Sequence, residues 1–234
     1  MYVDAGSSYL KLIKEVEASC KEANRAFDSV CVCAVSKTVG IDKVLEAYRA
    51  GALVFGENRP DALMEKHDQL PQATWHFIGN IQSRRIEDIV GRATLIHSVC
   101  AMRHVEKIDE CAAALNIAQK VLVEVNVSGE ETKSGISPRE VLDFLHEAHA
   151  FSHVQICGFM TMAPQGDPAY AREVFEQLAY LKEFACSHAD ESVAKRITEL
   201  SMGMSEDWHE ALRAGATIIR VGRAIFSEEF STNN

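Results

Sequence analysis

No uninterrupted apolar run in this sequence approaches the ~20 residues needed to span a bilayer, and the opening stretch MYVDAGSSYLKLIKEVEASC lacks a basic segment followed by an apolar one. These absences argue against a membrane-spanning helix and a secretory leader, and predict a cytoplasmic protein with no membrane partner. An excess of positive charge is missing too. Lys and Arg number 24 against 34 Asp and Glu, a net charge of -10, which argues against nucleic acid as a partner because phosphate neutralisation needs a basic surface. A small anionic ligand remains open, since it needs only a local nest of donors. Cysteine is present without a pattern. Seven residues, odd in number and irregular in spacing, suit neither a disulfide framework nor a zinc site, so they read as reduced core fillers and no metal is expected. The Asn126-Val127-Ser128 sequon is then a chance match.

What is present is a regular alternation. Short β-rich runs fall at 30–36, 52–55, 74–78, 94–98, 120–127, 154–160, 198–202 and 216–221, and amphipathic helical stretches lie between them, for example at 41–50, 101–115, 138–150 and 168–187. Several of the runs are continuously apolar, as parallel strands covered on both faces require. Strict alternation predicts an α/β fold, and eight strands predict a closed (β/α)₈ TIM barrel. A helix at about 6–26 precedes the first strand and covers the barrel's bottom or side. Ser137-Pro138-Arg139-Glu140 reads as a capping box with proline at the first helical position. Arg49-Ala50-Gly51-Ala52 and Arg213-Ala214-Gly215-Ala216 repeat one device, a glycine that stops a helix just before a strand. No linker divides the modules, so residues 1–234 read as one domain.

In such barrels functional residues sit on the loops that follow the strands. Strand one exits into Ser36-Lys37-Thr38. A lysine leaving an apolar strand either snorkels to solvent or, desolvated, supplies the neutral amine of a Schiff base. Position alone does not separate the two. Gly56-Glu57-Asn58 and Gly79-Asn80-Ile81-Gln82 follow strands two and three, and taken singly read as turns. Strands seven and eight exit into Ser201-Met202-Gly203-Met204-Ser205 and Arg220-Val221-Gly222-Arg223. These are the loops from which barrels build phosphate sites. Ser201 and the Gly222-Arg223 amides suit that role, whereas Ser205 reads as the N-cap of a helix beginning at Glu206-Asp207. Arg220 points into the mouth. A lysine across the mouth from a phosphate cradle fits a phosphorylated aldehyde, either pyridoxal 5′-phosphate (PLP) or the phosphosugar of a Schiff-base aldolase.

AVSKT at 34–38, AGALVFGEN at 50–58, WHFIGNIQ at 75–82, LIHSV at 95–99, VEVNVSGEETKSGI at 123–136, GFMTMAP at 158–164, LSMGMSEDW at 200–208 and IIRVGRAIF at 218–226 together resemble the pyridoxal phosphate homeostasis proteins, in that family's order and over nearly the whole chain. The resemblance implies a fold-type III PLP barrel similar to the N-terminal domain of alanine racemase. It makes Lys37 the Schiff-base lysine and sets Asn58 near the imine and phenolic side of the cofactor. Ser201, Gly222 and the Arg223 amide would hold the phosphate, Arg220 would face the pyridine nitrogen, and Met160 and Thr161 would lie near the cofactor wall. The chain departs from the family pattern at Arg223, often Ser or Thr there, at Ser227, commonly Gly, and in the segment Gln82-Ser83-Arg84-Arg85 after strand three, where the family commonly has Asn-Lys. The first departure removes a hydroxyl contact to phosphate.

The function expected is that of a PLP carrier or regulator in vitamin B6 homeostasis rather than an enzyme, with apo PLP-dependent enzymes as recipients and a monomer as the working state. An always-charged arginine at the pyridine nitrogen weakens the cofactor as an electron sink. Racemisation needs a second base, which the resemblance places on a further domain, and Tyr2, Tyr9, Tyr48, Tyr170 and Tyr180 all lie away from the strand exits. A weak racemase would have to use His76, His97 or Glu124, which read as barrel-interior residues. A non-catalytic partner-binding barrel is the third class, for which the sequence offers no interaction stripe.

Overall fold

The structure is a computed structural model that describes residues 4–130 and 133–227. Tyr2 and the stretch 228–234 lie outside the described residues. Eight parallel strands close into one barrel in chain order: β1 Cys31–Val35, β2 Val54–Glu57, β3 Thr74–Phe77, β4 Leu95–Val99, β5 Gln119–Glu124, β6 Val154–Met160, β7 Glu199–Ser201 and β8 Ile218–Val221. The seam is β1 against β8, with Cys33 opposite Arg220. The expected eight-stranded α/β barrel is present, with small shifts at the strand ends. β2 starts two residues late because the Ala52 amide is spent on Ala47 O, closing the preceding helix. After β3 the chain forms a 3₁₀ helix, Ser83–Asp88, in place of an α-helix.

Alternation along the strands sorts the core into two layers. Outward residues such as Phe55, Trp75 and Phe77 pack under the surrounding helices in the large cluster. Inward residues Cys33, Val35, Leu95, Leu122, Cys157, Met160 and Ile218 form a separate cluster that fills the barrel. A register shift between Val121 and Leu122, where β5 meets β6, brings both Cys157 and Met160 into that cluster although they lie three residues apart. All seven cysteines are free in the structure, with Cys20, Cys33 and Cys157 buried and the other four partly buried. No helix among the described residues is long and apolar enough to cross a membrane.

Local signals in the sequence account for the helix ends. Asp4 caps the first helix, Ala5–Glu22, by accepting from the Ser7 amide at 3.0 Å. This helix ends earlier than expected, where Asn24 takes a φ of 52°. It packs on the side of the barrel, against helices Ile41–Arg49 and Arg223–Phe226. Just beyond it, Arg25 donates to Leu212 O at 2.9 Å and Ala216 O at 2.7 Å, tying the segment down. The capping box is complete, with Ser137 Oγ accepting from Arg139 N and Glu140 Oε2 from Ser137 N.

Gly51 and Gly215 both take the left-handed conformation, at φ 102° and 96°. A Cβ on Gly51 would meet nothing within 4 Å, so Gly51→Ala tests backbone strain alone. The expected cost is ~1–2 kcal/mol, read as a melting temperature lower by roughly 2–8 °C. An unchanged melting temperature would mean the cap relaxes to another geometry.

Candidate functional site

The carboxyl ends of the strands surround a cavity of 510 Å³, within the ~300–1,000 Å³ usual for small-molecule sites. Lys37, Asn58, Arg220, Gly222 and Arg223 line it, so five of the eight expected residues meet there. Among the described lining residues, Lys37, Arg220 and Arg223 are cationic and none is acidic. In a chain of net charge -10, that makes the mouth locally cationic.

Lys37 follows β1 in a turn and is exposed, so the desolvation considered for it does not arise. The turn itself is held from below. Lys66, from helix Pro60–Gln69, donates to Ser36 O at 2.8 Å and to Glu57 Oε1 at 2.5 Å, and Ser36 Oγ donates to the same carboxylate oxygen at 2.6 Å. Glu57 is wholly buried and its Oε2 has no partner. Sequence reasoning missed this cluster, because nothing local pairs a mid-helix lysine with a strand glutamate.

Strands β1 and β8 are hydrogen-bonded neighbours. Lys37 and the Gly222-Arg223 turn therefore sit side by side at the barrel seam, not across the mouth from each other as expected. The Arg223 side chain reaches Glu206 Oε1 at 2.9 Å along the rim. Asn58 is positioned through Gly79, where a Cβ would fall 2.0 Å from Asn58 O. Only glycine allows the exits of β2 and β3 to approach so closely.

Ser205 and Ser201 exchange the parts assigned to them. The helix expected from Glu206 begins at Trp208 with Asp207 as its N-cap residue, and Ser205 does not cap it. Asp207 instead braces the loop by accepting from Met204 N at 2.5 Å. Ser205 lines the cavity, and its Oγ accepts from the Ala224 amide at 3.4 Å. Ser201 lies wholly buried beneath the floor, where its Oγ accepts from Arg220 Nη1 at 2.7 Å. Met160 and Thr161 belong to the same lower layer. Thr161 Oγ1 donates to Val125 O at 2.8 Å, and its carbonyl accepts from Arg220 Nη2 at 3.0 Å. Gln82 and Met204, read only as parts of strand-exit loops, line the cavity, as do Met162 and Gln165, which the sequence did not single out. Their position in loops after strands was the available signal.

His76, His97 and Glu124 are buried, as expected of interior residues. Burial pushes Glu124 up to about 7, against the pull of Arg220. Burial also lowers Arg220 from its ordinary value, although a guanidinium keeps its charge.

The family model described as "Alanine racemase, N-terminal domain" matches residues 13–229. The pyridoxal phosphate homeostasis protein of Aquifex aeolicus is 34% identical over 221 residues, 93% of this chain and 95% of that protein. The chain belongs to the pyridoxal phosphate homeostasis proteins, within the alanine racemase N-terminal-domain family. PipY of Synechococcus elongatus has been solved with PLP bound. It superposes at a TM-score of 0.79 with 33% identity, covering 92% of this chain and all of that one. A protein of Bifidobacterium adolescentis superposes at 0.89 with 30% identity, over 95% of this chain and 94% of its own. Alanine racemase of Clostridium difficile, at 15% identity and a TM-score of 0.69, shares the fold.

Proposed function

We propose that this protein holds PLP in the cavity at the β1–β8 seam and acts as a carrier or regulator of that cofactor. The observation that carries the reading is the lining, a reachable lysine amine and two arginines with no acidic residue among those described. A phosphorylated aldehyde needs that donor set: an amine for the carbonyl carbon, and hydroxyl and amide donors for the phosphate. Lys37 supplies the amine. Ser205 and the backbone of Gly222 and Arg223 take the phosphate, Asn58 lies beside the lysine, and Arg220 meets the ring nitrogen. Ser201, Met160 and Thr161 act from the layer beneath. PLP bound to PipY, and the name carried by the Aquifex relative, support the same reading.

PLP supplies an electron sink for amino-acid chemistry, and the residues here do little to use it. The Arg220 guanidinium cannot give up its proton, so it disfavours a protonated ring nitrogen. His76 and His97 lie beneath the floor, and no described tyrosine lines the cavity. The exposure of Lys37 leaves the attachment point open to solvent, which suits loading and release by a monomer to apo PLP-dependent enzymes.

The test mixes loaded protein with an excess of an apo PLP-dependent enzyme. Recovered enzyme activity should match the PLP supplied. Retention of the cofactor for hours, together with α-proton exchange of amino acids in heavy water, would turn the reading to a weak enzyme.

A further inference from the structure

Beneath the cavity floor, side chains from four strands join in a chain. His76 Nδ1 lies 3.0 Å from His97 Nε2, and His97 Nδ1 lies 2.9 Å from Ser201 Oγ, the oxygen that accepts from Arg220 Nη1 at 2.7 Å. His97 and Ser201 are wholly buried, and His76 and Arg220 are 6% and 5% exposed. Barrel interiors are ordinarily filled by bulky branched residues, and a buried polar group left unmatched costs ~1–3 kcal/mol. Here each link is matched.

The direction of the chain follows from its chemistry. A guanidinium only donates, so Ser201 Oγ accepts from Arg220 and has its own proton to give. Among the described residues its other partner is His97 Nδ1. Accepting that proton leaves His97 protonated on Nε2, from which it donates to His76 Nδ1. The opposite polarity would make Ser201 accept twice and leave its hydroxyl proton without a partner. Both rings must then be neutral. Burial accordingly lowers His76 to about 4 and His97 well below the ordinary histidine value.

We infer that His97 is a positioning residue that, through Ser201, locks the Arg220 guanidinium in one orientation and so aims its remaining donors at the ring nitrogen of the bound cofactor. This rests on the reading of the cavity as a PLP site. Ser201 Oγ holds one guanidinium nitrogen and Thr161 O holds the other at 3.0 Å, so the plane of the group is set from β7 and from the end of β6. A guanidinium so fixed keeps the ring nitrogen unprotonated. Loosened, it lets that nitrogen take a proton, and the added positive charge makes the protonated Schiff base on Lys37 more acidic. The other ionisable groups around Arg220 are the Cys33 thiol on β1, Glu124 on β5 and Asp207 after β7, and the variants below leave all three in place.

The experiment loads wild type, His97→Leu, His97→Asn and Ser201→Ala with PLP, then measures affinity and the pH midpoint of the visible band. In Ser201→Ala and His97→Leu, affinity should fall about tenfold and the midpoint should drop by about one pH unit, a shift of the size that a neighbouring full charge produces. Asparagine offers an acceptor to Ser201 near the position of Nδ1, so His97→Asn should stay close to wild type in both. Wild-type affinity and midpoint in His97→Leu and Ser201→Ala would overturn the inference and leave His97 as packing. Should His97→Leu fail to fold, Ser201→Ala decides in the same way. Failure of every variant to fold would also overturn it, making the chain an element of stability. A wild-type protein that gains no visible band would instead overturn the cofactor reading, with this inference falling as its consequence.

Discussion

Replacing Lys37 with alanine should abolish the visible band that PLP gives with this protein, along with the covalent mass that borohydride fixes. The effect is expected to be close to complete, because the amine forms the only covalent attachment in the proposed site. Ser205, the Gly222-Arg223 turn and Arg220 remain in the variant, so non-covalent binding should persist with an affinity weaker by about a hundredfold, or ~2.7 kcal/mol. Stability should barely move. Lys37 is exposed, and surface substitutions usually fall within about 0.5 kcal/mol. Absorption before and after borohydride, beside a thermal melt, separates the two effects. An unchanged band in Lys37→Ala would place the reactive amine elsewhere, with Lys133, which bonds Met162 O at 3.4 Å on the loop side, the first to examine. A lost band with a collapsed melt would make the lysine structural.

The second large effect concerns the support beneath that lysine. Lys66→Met removes the cation facing Glu57, whose side chain has no exposed surface, while the lysine's own is 7% exposed. Breaking such a buried pair from one side costs ~3–5 kcal/mol, because the carboxylate keeps its desolvation penalty and loses its compensation. At ~2–4 °C per kcal/mol for a domain of this size, the melting temperature should fall by roughly 6–20 °C. Glu57→Met made together with Lys66→Met should recover much of that loss, since replacing both partners with apolar groups is often near neutral. Equal stability of single and double variants would mean the pair is uncoupled. Lys66 also donates to Ser36 O, and Ser36 precedes Lys37. The single variant should therefore weaken PLP binding beyond what its stability loss explains, read at a temperature where both proteins remain folded.

The barrel was legible because its signals are local. Eight apolar runs, the capping box at Ser137 and the glycine caps at 51 and 215 each depend on residues within a few positions of one another, and all three kinds of signal reappear in the structure. Lys37, Asn58 and Gly222 were reachable on the same ground, since each follows a strand and the loops after barrel strands face the mouth. Long-range partners were not legible in the same way. Ser205 sits beside an acidic run and reads as a helix cap, yet the helix starts three residues later and the hydroxyl turns to the amide of Ala224. Ser201 was expected at a phosphate, and its hydroxyl is spent on an arginine 19 residues on.

The sequence by itself therefore determined the strand count, the parallel closure and which loops surround the mouth, because apolar runs and the turn residues between elements act over short stretches of chain. Only the tertiary structure decided that Lys37 and the Gly222-Arg223 turn share one seam, that Lys66 underpins Ser36 and that His97 meets Ser201. The last two are 104 residues apart. A buried polar group takes its partner from whatever strand closure brings to hydrogen-bond distance, and that distance is a property of the closed barrel, with no period or spacing along the chain to announce it.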